Sequence, residues 1–520
     1  MSATTYDAVP YGSYPFAQSH PENLFAIADL FGHAAPPVER ARVLELGCAS
    51  GGNLLPMAAD LPGSEFVGVD LSGRQIAEAR TLAERAGLTN VSFREMSILD
   101  IDAAMGQFDY VLCHGVYSWV PAAVREHILA VCSARLAPAG VAYVSYNTLP
   151  GWNTVRTIRD LMTFHVRDTA DPVQQIAEAR EALPFVLQAL EGSATPYAET
   201  LRAELSSLRE APDHYLFHEY LEEVNHPVYF RDFIADARAR GLDYLADTDL
   251  PSMFIENLPR ATSSKLRTVD DIVATEQYMD FIRNRRFRCT LLVHAGNVRR
   301  RALATSDIER FHLSTRVEVV SEAGPSVLRG DAPVHFDVQG TAFSIREPVS
   351  KTAMVVLAEQ DGRPLAFDAL CAATAERVGA GEREPVRSQL VDGLNLLRQV
   401  FAGLVHVHAS PGRYAVTVSA RPAVSKLARE QAAHDGRATN HRHQSHALGP
   451  VTAALMQLAD GTRDRGALVA AVTAEFLAGR LAFATEEGAR EARAEDAARV
   501  AALCDEALAW LAANAFLERE

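Results

Sequence analysis

The sequence predicts an α/β chain built on a seven-stranded parallel sheet that a helical insertion interrupts and smaller C-terminal modules follow. Three observations predict it. Short apolar runs alternate with helix-length segments over the first 297 residues, a Gly-rich turn follows the first run, and an acid ends the second. The arrangement is Rossmann-like, with ligands expected at the carboxyl ends of the strands. The 520 residues amount to three or four units at about 100–200 residues each. A composition of 48% hydrophobic and 22% charged residues excludes a disordered chain or a coiled-coil rod.

Taken in order, residues 1–40 form an N-terminal lid or dimerisation segment, and 41–297 the sheet domain. The strands are Arg42–Leu46, Glu65–Asp70, Asn90–Arg94, Phe108–Cys113 and Gly140–Ser145. Helices over Asn53–Asp60, Arg74–Ala86 and Pro121–Ala134 lie between them, and Gly87 is placed to end the second. Residues 153–226 carry no strand pattern and read as an inserted helical block. Leu242–Ala246 and Phe287–Val293 are the sixth and seventh strands, preceded by helices at Arg231–Arg240 and Asp270–Asn284. Residues 298–348 are a strand-rich connector with a turn at Gln339-Gly340. Residues 349–425 give helix, helix, hairpin, the order of a winged helix, with the hairpin strands at Leu404–His408 and Arg413–Val416. Residues 426–520 form a helical module that opens with a polar, His/Arg-rich loop.

The net charge of −16 argues against a general nucleic-acid-coating role. The arginines at 283, 285, 286 and 288 are expected to pair with acids. No apolar run reaches the roughly 18 residues of a membrane span, and no basic-then-apolar leader is visible, so a cytoplasmic protein is expected. Six scattered cysteines without a C-x-x-C pair read as reduced thiols. His434, His441, His443 and His446 fit no strong metal spacing, so no metal is expected.

The chemistry concentrates in Glu45-Leu-Gly47-Cys48-Ala49-Ser-Gly51-Gly-Asn53. Small residues let a ligand approach the backbone, and the helix start offers free N–H groups. Asp70 at the next strand tip can accept both hydroxyls of a ribose, with Leu71 beside it. A dinucleotide site wants a second glycine where Ala49 stands. An S-adenosylmethionine site wants an acid two residues before the first glycine, which Glu45 supplies, and that cofactor has no pyrophosphate to seat. Met96 and Ile98 stand where an adenine would be sandwiched, and Ser97 where its amino group would be reached; Met96 serves equally well as core. His114-Gly115-Val-Tyr117-Ser-Trp119 and Tyr146-Asn147 end the fourth and fifth strands. With Trp152 they are expected to line an aromatic acceptor pocket, under a lid formed by Tyr11, Ser13 and Tyr14. His114 stands either as a base or as a ligand of the cofactor carboxylate.

These segments, with Tyr143–Trp152, His226-Pro-Val-Tyr-Phe, Arg283–Arg288 and Thr439-Asn-His-Arg-His-Gln, resemble the bacterial class I methyltransferases with a methyltransferase regulatory domain. That group includes the rickettsial-type protein-lysine methyltransferases of outer-membrane proteins. The family's usual second glycine is Ala49 here. The resemblance implies a class I methyltransferase sheet, a regulatory region over about 213–297, and S-adenosyl-L-methionine converted to S-adenosyl-L-homocysteine. It also implies a protein acceptor, met as an outer-membrane or secreted protein before export, methylated on lysine, and a homodimer. The other readings are methylation of a small molecule or peptide, and a cofactor-binding regulator without catalysis.

Overall fold

The computed structural model describes residues 12–298, 300, 303–338, 340–379, 383–400, 404–485, 488–490, 493 and 496–519. Seven strands form one sheet: β1 (Arg42–Leu46), β2 (Glu65–Asp70), β3 (Val91–Glu95), β4 (Phe108–Cys113), β5 (Leu136–Asn147), β6 (Leu242–Asp247) and β7 (Phe287–His294). Their spatial order is β3-β2-β1-β4-β5-β7-β6. The first five pair in parallel, in the registers Leu44↔Val67 and Leu44↔Val111. β7 runs antiparallel to both neighbours, which corrects the all-parallel expectation. The chain after β6 returns to the end of the sheet where β6 finished, and Asp247 lies opposite Thr290.

The strands are near-continuous apolar runs because both faces are covered. One face packs on Leu24, Ile27 and Phe31, on Leu54 to Ala58, and on Ile76 and Ala79. The other packs on Ile128 and Leu129 and on Phe230, Phe233 and Ile234. The helix Gly73–Ala86 starts where Ser72 accepts from Gln75 N–H and stops at Gly87, whose φ of 70° suits a residue without Cβ. The chain continues from β1 to β2 on one side and from β4 to β5 on the other, so the carboxyl ends of β1 and β4 are where a ligand is expected in an open α/β sheet.

The insertion holds the α-helices Trp152–His165, Pro172–Ala189, Pro196–Leu208 and Asp213–Leu216, the last continued by a π-helical turn, Phe217–Leu221. They enclose a core of their own around Ile158, Met162, Leu205 and Leu216. A middle module packs Leu313, Phe336, Leu357, Leu370 and Leu394, and the C-terminal module packs Leu455, Val472, Leu508 and Leu511.

Two expectations are corrected in these modules. His406–His408 and Tyr414–Ala415 are strands but do not pair with each other. The first pairs with His312–Ser314 and the second with Leu517–Glu518, so each binds a distant segment. The polar stretch expected as a loop holds a helix, Lys426–His434, and a hairpin, Arg437–Thr439 with Ser445–Ala447. Among the described residues no helix is long and apolar enough to cross a membrane.

Arg288 on β7 is wholly enclosed. It binds Asp280, Glu276 and Asp247 at 2.8, 2.9 and 3.4 Å and lies 3.9 Å from the centre of the Phe230 ring. Arg285 binds Asp247 at 2.9 Å, Arg286 pairs with Glu204, and Arg283 donates to the carbonyls of Ser252 and Phe254. The arginine-rich stretch is thus knitted into the fold.

Candidate active site

The turn after β1 is shaped by left-handed backbone. Gly47 and Gly51 have φ of 74° and 77°, and an added Cβ would meet Val116 at 2.5 Å or Phe93 at 2.8 Å. Ala49 takes the same region, at φ 47°, where a side chain costs about 1 kcal/mol or more. Ala49→Gly is therefore expected to stabilise the protein by up to about 1 kcal/mol, read as a raised midpoint in urea unfolding. An unchanged or lowered midpoint would show that the loop carries no such strain.

Asp70 organises the crevice from the other side. One carboxylate oxygen accepts from Ala49 N–H at 2.9 Å and the other from Ser72 N–H at 2.9 Å. The acid is thereby aimed across the mouth between β1 and β2. Leu71 beside it is 52% exposed, which leaves an apolar surface at the tip of β2. Met96 donates its N–H to the Asp70 carbonyl at 2.9 Å. Ser97 caps the following turn by accepting from Leu99 N–H at 3.2 Å, and Ile98 is buried in the core.

Glu45 is buried below the turn. One oxygen accepts from Asn53 Nδ2 at 2.7 Å; the other, Oε2, has no partner among the described residues. Loss of solvation raises its pKa to about 7, against the pull of the Asn53 hydrogen bond. Cys48 is buried beside it. A buried acid with an orphaned oxygen, a strained small-residue turn and Asp70 are what S-adenosylmethionine would require. Glu45 and Asp70 would hold its ammonium and ribose, and Gly47 to Gly51 would leave it room.

The N-terminal segment lies over the turn. Ser13 Oγ accepts from Gly52 N–H at 2.7 Å, and an added Cβ on Gly52 would strike the Ser13 carbonyl at 2.4 Å. Tyr14 faces Arg437 at 5.7 Å. Phe16 stacks on His114, centroids 3.8 Å apart, and Ser19 bonds to Asn53 at 3.0 Å. Tyr11 lies outside the described residues.

At the tip of β4, His114 Nδ1 is 2.8 Å from the Tyr143 hydroxyl, which donates to Cys289. The Tyr143 oxygen therefore accepts from Nδ1–H, and Nε2 keeps its lone pair. Burial pushes the His114 pKa down to about 4, so the ring is neutral at pH 7. Gly115 N–H donates to Ser145 Oγ, and Asn147 N–H to Ser118 Oγ. The Asn147 Nδ2 has no partner among the described residues.

The other aromatics face elsewhere. Tyr146 packs on Phe233 at 4.1 Å and bonds Thr290, and Tyr117 packs edge-on against Phe233 at 5.2 Å. Trp119 meets Trp152 edge-on at 6.2 Å, and Trp152 Nε1 donates to Asn225. Tyr117 and Tyr146 thus lie in the sheet core, and the tryptophans at the root of the insertion. Around the turn after β1 the structure places Ser13 on Gly52 N–H, Asn53 on Glu45, and Asp70 on Ala49 N–H, with Phe16 joining Asn53 to the His114 ring.

Sequence reasoning missed the partners of Asn53. Its Oδ1 accepts from Phe16 N–H at 2.9 Å and from His443 Nε2 at 2.8 Å. His441, two residues earlier, pairs with Asp60 at 2.7 Å, at the other end of the helix Leu54–Asp60. The available signal was the Thr439–Gln444 stretch, singled out in the resemblance without a role.

Three family descriptions match the chain: "Methyltransferase domain" over residues 43–140, "Predicted methyltransferase regulatory domain" over 212–294, and "PKMT, C-terminal winged helix domain" over 420–516. The last falls on the module that carries His443. An uncharacterised Rickettsia prowazekii protein is 38% identical over 488 residues, 92% of this chain and 88% of that one. A second protein of that organism is 43% identical over 236 residues, 45% of this chain and 94% of its own. The structure of PKMT2 from Rickettsia typhi in complex with AdoHcy is 33% identical and superposes with a TM-score of 0.87, covering 98% of this chain and all of that one.

Proposed function

Since this chain belongs to the bacterial methyltransferases that carry a regulatory domain and a PKMT-type C-terminal winged helix, we propose that its acceptor is a lysine ε-amine on a protein. It is an S-adenosylmethionine-dependent methyltransferase. The match to PKMT2 along nearly the whole chain carries the lysine reading. The net charge of −16 suits a basic protein substrate.

When bound, S-adenosylmethionine would supply an electrophilic methyl group, the acceptor nitrogen bonding to its carbon as the C–S bond breaks and S-adenosylhomocysteine leaves. The residues of the chain align, desolvate and handle the proton. Asp70, Glu45 and the turn hold the donor side. Ser13 and Phe16 close over it and exclude water. A lysine amine has a reference pKa of about 10.4, so the site must favour its neutral form. Phe16, Phe287, 6.0 Å from the His114 ring, and the uncharged His114 provide a surface that does not solvate an ammonium. His114 Nε2 orients the amine by accepting one of its hydrogens. It is too weak a base to retain a proton at pH 7, so the methylated amine leaves as the ammonium. Asn147 Nδ2 is the donor we place beside it, while Tyr117 and Tyr146 stay in the sheet core and Trp119 packs on Trp152.

Labelled S-adenosylmethionine with bacterial extract, followed by mass spectrometry, tests the acceptor. Label on the ε-nitrogen of protein lysines is expected. Label confined to small molecules or peptides overturns the lysine reading, and binding without any transfer favours a regulator. An outer-membrane or secreted protein before export is the acceptor class we would assay first.

A pH dependence follows from Glu45. Its folded pKa, about 7, lies above its ordinary 4.5, so in the cofactor-free protein its contribution to stability is present below the ordinary value and lost as pH rises through 7. A cofactor ammonium favours the ionised acid. Affinity for AdoHcy should therefore fall about tenfold per pH unit below 7 and level off above it. Calorimetry in two buffers of different ionisation heat should register proton release near pH 6. A flat profile from pH 6 to 8 would remove Glu45 from the site.

A further inference from the structure

The C-terminal hairpin reaches the cofactor turn through one side chain. His443 is buried, with Nε2 2.8 Å from Asn53 Oδ1. Which end of the Asn53 amide points where is settled by its other partners. Phe16 N–H can only donate, so it requires Oδ1, and the Glu45 carboxylate takes Nδ2. Oδ1 carries no hydrogen, so His443 must donate from Nε2–H, which leaves its Nδ1 as an acceptor without a partner among the described residues. Burial and the nearby ring of His20, 5.1 Å away, keep His443 uncharged. Its backbone sits at φ 58°, a left-handed conformation that glycine would adopt without strain. A turn alone would be better served by glycine, so the imidazole is explained by what it touches.

We propose that His443 is a positioning residue for the cofactor: a neutral imidazole in the C-terminal module that locks the Asn53 amide, so that Nδ2 stays on Glu45 Oε1 and Oε2 is presented to the ligand. The lock passes through two hydrogen bonds, His443 to Asn53 and Asn53 to Glu45, and it also fixes the N-terminal segment through Phe16 and Ser19. His441 on Asp60 holds the far end of the same helix. Cofactor affinity thereby depends on a side chain 390 positions downstream of Asn53. The proposal rests on the S-adenosylmethionine site and is independent of which acceptor is methylated.

AdoHcy titrations of the full-length protein at several pH values test it, alongside thermal unfolding, with His443→Gly and His443→Gln. The other titratable groups facing Glu45 are Asp70 from β2, Cys48 from the turn and Cys113 from β4, and all remain in both variants. His443→Gly relieves the backbone and removes the donor. It should weaken AdoHcy about fivefold above pH 7, the size of one neutral hydrogen bond, and move the midpoint of the pH dependence upward. His443→Gln keeps an N–H within reach of Asn53 and should restore both. If glycine loosens the hairpin, His443→Asn keeps a polar side chain suited to the left-handed backbone but falls short of Asn53, and should behave as glycine does. Binding within twofold of the parent, an unmoved midpoint, or a glutamine variant no better than the glycine variant each overturns the proposal. A merely structural histidine would weaken binding without moving the midpoint.

Discussion

Replacing Asp70 by alanine lowers the affinity for AdoHcy by at least about 100-fold. The carboxylate accepts from Ala49 N–H and Ser72 N–H, each at 2.9 Å, and hydrogen bonds to a charged group contribute about 1.5–3 kcal/mol each. Losing two frees the turn and the start of the next helix together, and about 3 kcal/mol is two orders of magnitude in a dissociation constant. The ribose loses its acceptor in the same step. Asp70→Asn keeps the shape and one acceptor oxygen, and should fall between the two. Calorimetric titration measures the loss, and a thermal transition close to the parent's shows that the sheet survives. Binding within tenfold of the parent would mean that the turn after β1 and the tip of β2 do not hold the cofactor.

The second large effect is on stability. Arg288→Met should lower the unfolding free energy by about 3–5 kcal/mol, the range for breaking a buried ion pair from one side. Asp247, Glu276 and Asp280 all converge on that guanidinium and have no water to turn to. Burial already holds the pKa of Glu276 and Asp280 above their ordinary values, with Arg288 opposing it. Without the arginine they rise further, and groups whose folded pKa is raised contribute stability at low pH and lose it as pH rises. The variant is thus least impaired near pH 5 and most impaired at pH 8 or above. Urea unfolding at both values decides it; a loss under about 1 kcal/mol at both would show that the acids are not desolvated as the structure has them.

What could be read in advance was what the chain states locally. β4 was placed from its apolar run, and Glu45, the turn and Asp70 lie within 26 consecutive residues whose types carry their own reasons. The antiparallel seventh strand was not legible, because an apolar run has no direction. Nor were the roles of the aromatics: a tryptophan at a strand tip does not say which side of the chain it faces, and Trp119 and Trp152 turned to each other. Arg288 did leave a trace, a charge inside a run buried on both faces, with Glu276 and Asp280 one helical turn apart on the preceding helix. The partners of Asn53 left only the Thr439–Gln444 motif, which does not say what it meets. Ser19 is 34 positions away and His443 is 390, and no periodicity links such pairs.

That long separation also has a meaning in time. Asn53 leaves the ribosome 390 residues ahead of His443. At about 5–20 residues per second, roughly 20–80 s pass during which the sheet can fold but the imidazole is still unmade. A nascent chain therefore carries every residue of the turn, β2 and the N-terminal segment, and still lacks the last contact of the hub. The contact closes only after the ribosome has passed residue 443.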